Sequence, residues 1–254
     1  MLMNANSNPL APDVRRCQFL SLIAGLFLLG GCAHSPPDQR TSTAPGDGKT
    51  VVTPPPGKAD HPVAASEQAF EWKSLFDGKS LAGWTLTDFA GAGMVDVEKG
   101  QILVRAGVAL SGITWTNALP KIDYEVALEA MKVDGGDFFC GFTFPVGGAY
   151  CSFIVGGWGG GVVGISSIDG ADASENETTK FMNFEKGRWY RIRVRVTQPK
   201  IETWIDDEKF VDQPVEGRRV SMRAGEIELS EPFGFATYQT VAAFRNIKIR
   251  RLTK

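Results

Sequence analysis

From about Phe70 to Lys254, apolar and polar residues alternate with a period of two through one short segment after another. That alternation marks strands with one buried and one wet face. Ile102 to Val104, Tyr124 to Met131, Phe138 to Phe144, Tyr150 to Val155, Val162 to Ile165, Tyr190 to Val196, Ile201 to Ile205 and Phe244 to Leu252 all read as strands. Gly, Pro, Asp and Asn separate them at short intervals. No long stretch carries a 3.6-residue apolar stripe and no fixed-period repeat is visible, which argues against a helical body, a propeller or a solenoid. The pattern predicts an all-β fold, an antiparallel β-sandwich, over residues 70–254.

One hairpin can be written out. Tyr190, Ile192, Val194 and Val196 share a face, with Arg191, Arg193 and Arg195 on the other. Ile201, Thr203 and Ile205 continue the first face in the next strand, and Glu202, Trp204 and Asp206 the second. A tight turn at Gln198-Pro199 sets Arg195 opposite Glu202, Arg193 opposite Trp204 and Arg191 opposite Asp206. Two ion pairs and a cation–π contact are expected, each contributing a few tenths to ~1 kcal/mol. On this reading the set is a solvated sheet face.

The N-terminal segment follows another pattern. Arg15 and Arg16 precede an apolar run from Phe19 to Gly31. The run is too short for a bilayer core of about 30 Å and suits a signal-peptide core. It ends in Leu29-Gly30-Gly31-Cys32, which resembles a bacterial lipobox. The resemblance implies removal of residues 1–31 as a lipoprotein signal peptide and lipidation of the Cys32 thiol. Ala33 follows, where Asp would be an inner-membrane retention signal, so the expected location is a lipid-anchored cell envelope, at the outer membrane. The alternative is a signal peptide with a chance cysteine. Residues 32–69 are rich in Pro, Ser, Thr, Gly and Ala, with Pro54-Pro55-Pro56 the stiffest piece. Such a segment buries too little apolar surface to offset its ordering entropy and reads as a disordered tether.

Charge and rare residues narrow the chemistry. Lys plus Arg number 27 and Asp plus Glu 29, a net charge of −2, so no basic footprint for nucleic acid exists. The two histidines, His34 and His61, both lie in the tether. Ser-His-Asp and Cys-His arrangements, HExxH and His-rich zinc sites are thereby excluded from the folded part. Gly156 to Gly161 is glycine-rich but lacks a following Lys-Ser or Lys-Thr, which excludes a phosphate-binding Walker loop. Proton transfer must fall to Asp, Glu, Lys, Tyr or Cys, and a metal to oxygen ligands. A divalent cation such as Ca²⁺ or Mn²⁺ is compatible with these residues but not dictated by them.

Of the four cysteines, Cys17 leaves with the signal and Cys32 carries lipid. A turn centred on Pro145-Val146 would set Cys140 opposite Cys151, giving a disulfide in an exported protein or, equally, two buried free thiols. A catalytic role is disfavoured because no histidine is near to lower a thiol pKa.

The least ordinary stretch runs from Asp134 to Glu185. Asp137 opens a strand, Trp158 stands among five glycines, and Asp169, Asp172, Glu175, Asn176 and Glu177 follow within nine residues. Bare backbone beside an indole suits flat recognition of a sugar ring, with carboxylates and amides for its hydroxyls. The alternative is a glycine-permitted bulge beside a solvated acidic loop.

Two ends of the folded part carry a recognisable signature. Phe76-Asp77-Gly78-Lys79-Ser80-Leu81-Ala82-Gly83-Trp84 resembles the opening motif of the 3-keto-disaccharide hydrolase domain family. Phe244-Arg245-Asn246-Ile247-Lys248-Ile249 resembles its closing strand, and Glu185 to Arg195, with Trp189, its central tryptophan strand. The resemblance implies a concanavalin- or laminin-G-like jelly roll acting on saccharides in the bacterial envelope. In plain physical terms, Asp77-Gly78-Lys79 is a turn that uses glycine at positive φ. Leu81 and Trp84 would pack the sandwich end, with Arg245 and Asn246 pinning the turn. The middle strands depart from the family pattern. Asp137-Phe138-Phe139-Cys140-Gly141 stands where many members have Asn-Ser-Gly then Arg, and Phe235-Ala236-Thr237-Tyr238 where many have Leu-Gln-x-His.

The substrate class implied by the resemblance suggests elimination. A 3-keto group acidifies the neighbouring C2–H, a base removes that proton, an acid protonates the departing glycosidic oxygen, and water then adds. Without histidine, Asp137 and Glu177 are the candidates for base and acid, with Tyr238 as acid or hydrogen-bond donor. Trp158, Asn176 and Trp204 are the candidate sugar contacts. The rival expectation is a non-catalytic carbohydrate-binding module on the cell surface, with Trp158, Trp204 and Tyr238 as its platform. Partners are thus a saccharide and, through the lipid, a membrane.

Overall fold

A computed structural model describes residues 71–253. The signal peptide of 1–31, the lipidation site at Cys32 and the tether of 32–69 lie outside the described residues. In chain order the strands are β1 (Lys73–Ser74), β2 (Trp84–Leu86), β3 (Val95–Glu98), β4 (Gln101–Val104), β5 (Leu110–Trp115), β6 (Tyr124–Gly135), β7 (Cys140–Val146) and β8 (Ala149–Gly157). They continue with β9 (Val162–Ser166), β10 (Lys180–Phe181), β11 (Trp189–Val196), β12 (Lys200–Ile205), β13 (Glu208–Pro214), β14 (Gly234–Tyr238) and β15 (Thr240–Arg251). One 3-10 turn, Glu226–Ser230, precedes β14.

The strands form two antiparallel sheets. One runs β13-β12-β11-β6-β15-β4-β3, with β1 also pairing β15; the other runs β10-β9-β8-β7-β14-β5-β2. The fold is therefore an all-β sandwich of jelly-roll type. The sheets meet over an aromatic core. Phe235 of β14 stacks on Phe244 of β15 at 5.1 Å between ring centroids, and Phe142 packs on Phe235 at 4.9 Å. Each fully buried phenylalanine contributes roughly 1.5–3 kcal/mol. Tyr124 of β6 crosses the core and donates its hydroxyl to the carbonyl of Pro145 on the opposite sheet at 2.6 Å. Burial pushes its phenol well above the ordinary range, so it stays a neutral donor.

The opening motif folds as its residues dictate. Asp77 accepts the N–H groups of Lys79 and Ser80 at 2.8 Å each, and Gly78 takes φ +76°. Trp84 is buried and donates its indole N–H to the carbonyl of Leu75 at 2.8 Å. Arg245 and Asn246 do not pin this turn. Both bond Glu129 of β6, at 2.6 and 3.0 Å.

The β11–β12 hairpin has the expected register, with Arg195 opposite Glu202 and Arg193 opposite Trp204. Arg193 lies 3.7 Å from the Trp204 ring centroid. The Arg195–Glu202 ion pair does not form, because β6 on the other flank offers a better anion. Glu125, 1% exposed, takes Arg195 at 3.0 Å, Arg193 at 3.2 Å and Arg250 at 3.0 Å. Glu202 turns instead to Lys200 and Lys209.

The disulfide reading is corrected. The β7–β8 hairpin turns at Gly147-Gly148 rather than Pro145-Val146. Cys140 therefore faces Val155 and Cys151 faces Phe144. Both are free, buried thiols, and burial raises each well above the ordinary thiol pKa.

Candidate functional site

The outer face of the seven-stranded sheet carries a cleft of about 480 Å³. Its floor is Leu110 of β5 with Ser152 and Ile154 of β8. One wall is the β6–β7 connection with Asp137 and Phe138, another the β8–β9 turn with Trp158, and a third the segment Arg223–Ile227. Tyr238 closes the end of β14.

The Trp158 turn is built by glycine and held by Asp137. Trp158 itself has φ +48°, followed by Gly159 at +84° and Gly160 at +105°. A Cβ on Gly160 would fall 2.8 Å from the carbonyl oxygen of Gly136 and 3.1 Å from Nζ of Lys132. Only glycine lets the two loops approach this closely. Asp137 then joins them: Oδ2 accepts the N–H of Gly159 and Oδ1 that of Phe138, each at 2.8 Å. Beneath them Lys132 is buried, and burial lowers its ammonium pKa against the opposing pull of Asp137.

The indole of Trp158 is 42% exposed, a large aromatic surface left open in the cleft. The Arg223 guanidinium stands 5.6 Å from its ring centroid. Arg223 is held by Asp172 at 3.0 Å, and Asp172 accepts the Ser166 and Ser167 hydroxyls at 2.8 and 3.2 Å. The segment before it is tied down by paired backbone bonds between Ser167 and Ser221. Tyr238, 37% exposed, packs against Phe138 at 6.0 Å between centroids.

Three of the residues singled out from sequence, Asp137, Trp158 and Tyr238, thus share one concavity. The others do not join them. Glu177 lines a separate depression with Asp212 and Gln213. Its own backbone N–H, together with the Arg218 guanidinium, holds its carboxyl below the usual range. It is unsuited to be the acid partner of Asp137. Asn176 spends its side chain on its own loop, donating to the carbonyls of Ile165 and Ala171 and accepting from Thr178. It organises the loop and does not face the cleft. Trp204 lies on the other sheet, 8% exposed under Arg193.

The model of the 3-keto-alpha-glucoside-1,2-lyase-like domain family matches residues 71–250. The chain belongs to this family. No curated protein matches the chain. Among solved structures it is similar to the carbohydrate binding module CBM66 from Bacillus subtilis, at 14% identity and TM-score 0.44, over 66% of this chain and 95% of that one. It is also similar to a glycosyl hydrolase family protein from Mycobacterium fortuitum, at 11% identity and TM-score 0.41, over 72% and 100%. A third is alginate lyase A1-II′ of polysaccharide lyase family 7, at 8% identity and TM-score 0.44, over 70% and 97%.

In the lyase-like domain the family's closing motif is scaffold: Arg245 and Asn246 clamp Glu129 on the sheet that does not carry the cleft. The cleft adds Phe138, Arg223 and Glu226 to the residues read from sequence. Arg223 and Glu226 lie in a connection without period-two alternation, so no strand pattern marks their direction. Among the described residues no three His, Cys, Asp or Glu side chains stand together as a metal-ligand group.

Proposed function

We propose that the lyase-like domain binds a saccharide in the cleft and cleaves 3-keto-glycosides there by elimination. The observation that carries this reading is the convergence of an exposed indole, a phenol, a guanidinium and two carboxylates on one concavity. A sugar ring laid on Trp158 and Tyr238 would have its polar edge within reach of Arg223, Asp137 and Glu226. Asp137 commits both oxygens to backbone N–H groups, which turns them to the protein rather than to a substrate. Glu226 is exposed at the wall and takes the base role in this proposal. It would remove the C2 proton while Arg223 stabilises negative charge developing on the C3 oxygen. The electron pair then returns to form the C1=C2 bond as the C1–O bond breaks. Tyr238 gives its proton to the departing oxygen, and water addition completes net hydrolysis.

Leu29-Gly30-Gly31-Cys32 supports a location on the cell envelope, anchored through Cys32 at the outer membrane. The test of activity is incubation of the purified full chain in detergent with a chromogenic 3-keto-glucoside. Aglycone release, lost in Glu226→Gln, is expected. No release, with or without added Mn²⁺ or Ca²⁺, would end the enzymatic reading.

A second reading, binding without turnover, is favoured by the two backbone amides that occupy Asp137. It predicts glycan binding weakened by Trp158→Ala and indifferent to Glu226→Gln.

A further inference from the structure

The outer face of the eight-stranded sheet carries a second depression, of about 610 Å³, on the far side of the core from the cleft. Its floor follows from the sheet register. Ser74, Lys248, Ala127, Arg193 and Trp204 lie directly across from one another on β1, β15, β6, β11 and β12. Neighbouring strands are about 4.8 Å apart, so Arg193 and Lys248 are rooted roughly 10 Å apart. Only the methyl group of Ala127 stands between them. A notch between two cations results, walled by Trp72.

The charges around the notch leave it positive. Glu129 is taken by Arg245 and Asn246. Asp206 is taken by Arg188, and Asp207 by Arg191. Glu125 is one carboxylate shared by three guanidiniums, those of Arg193, Arg195 and Arg250. Among the described residues no carboxylate lies within 4 Å of Lys248; its ammonium stands 5.0 Å from the Trp72 ring centroid instead. Arg193 is fixed by Trp204 at 3.7 Å and makes one side-chain hydrogen bond, from Nη1 to Glu125. A guanidinium has five donors, so Arg193 keeps capacity for a ligand. Both cations are positioned by ring faces before any ligand arrives, which lowers the ordering cost of binding.

We propose that this notch is a second saccharide site, specific for an acidic sugar. The sugar carboxylate sits over Ala127 between Arg193 and Lys248, and the ring lies along the edge of Trp72, whose face carries Lys248 and Arg250. The site does not depend on the reading of the cleft.

The test is calorimetric titration of the full chain in detergent with trigalacturonate, with maltotriose as the neutral control. Inorganic phosphate and anionic phospholipid vesicles are separate arms. Trigalacturonate is expected to bind, more weakly as salt rises, and at least tenfold more tightly than maltotriose. Ala127→Leu, which fills the notch from the solvent side, and Lys248→Ala should each weaken it at least tenfold with the melting temperature unchanged. Trp158→Ala should leave it unchanged. Equal affinity for maltotriose, or binding indifferent to both notch variants, would overturn the proposal. Phosphate binding as tightly as the trimer would make the notch a simple anion site, and binding to vesicles alone would make it a membrane-facing surface; either result also overturns it.

Discussion

Asp137 accepts the backbone N–H of Gly159 at 2.8 Å, and this bond sets where the neighbouring indole of Trp158 stands. A residue expected to act on substrate thus acts first on the protein, joining the β6–β7 connection to the β8–β9 turn. Asp137→Ala removes both acceptors, and a lost hydrogen bond to a charged group costs about 1.5–3 kcal/mol. The variant should melt earlier and bind saccharide less tightly. Asp137→Asn keeps one acceptor oxygen and should fall between. Thermal melts and ligand titrations of the two variants check this order.

Trp158 contributes to the cleft and little to the core. Trp158→Ala should leave the melting temperature within a few degrees of wild type. Saccharide affinity should fall by roughly tenfold or more, equivalent to about 1.4 kcal/mol. Trp84→Ala should do the reverse and destabilise by about 3–5 kcal/mol, since Trp84 fills the sandwich end and bonds Leu75.

Glu125 links stability to pH. Burial pushes its carboxyl up, but the Arg250, Arg195 and Arg193 guanidiniums outweigh burial and hold it below the ordinary carboxylate value. A carboxyl depressed in the folded state contributes stability that is present above its unfolded pKa, near 4.3, and lost as pH falls through the folded value. Acid titration of unfolding free energy should therefore show a loss below about pH 4 that is smaller in Glu125→Gln. The variant should be destabilised at neutral pH by about 2–3 kcal/mol, less than a fully buried pair because its arginines are partly exposed.

Cys140 and Cys151 should remain unbonded and unreactive. Alkylation followed by peptide mass analysis should label neither in the native protein, and both after unfolding without reductant. Recovery of a Cys140–Cys151 disulfide-linked peptide would contradict the β7–β8 register.

The fold is readable where runs of Val, Ile, Phe and Tyr are bounded by glycine or proline, including β7 and β9, which are covered on both faces. The β11–β12 register followed from Arg191, Arg193 and Arg195 alternating with buried residues. The strands β5 (LSGITW) and β14 (GFATY) are not legible because Ser, Gly, Ala and Thr break up their apolar run, although the strands are almost wholly covered. The Cys140–Cys151 pairing failed because the strand continued through Pro145 to a glycine turn. At the site, Trp158 and Asp137 were legible because an indole among glycines and an isolated carboxylate are chemically conspicuous. Asn176 and Glu177 were conspicuous for the same reason, yet serve their own loop and Arg218. Composition alone does not distinguish a polar group spent on the backbone from one left for a ligand. Arg223 and Glu226 sit in a loop whose path is set by Ser167 and Asp172, partners distant in sequence.

In the proposed function a saccharide lies on Trp158. The most direct measurement is the indole N–H spectrum of the ¹⁵N-labelled chain during titration with a 3-keto-disaccharide, with Trp158 identified by Trp158→Phe. Saturable movement of the Trp158 resonance, absent in Asp137→Ala at the same ligand concentrations, is the predicted result. A Trp158 resonance that stays still while the ligand binds elsewhere, or no binding at all, would contradict it.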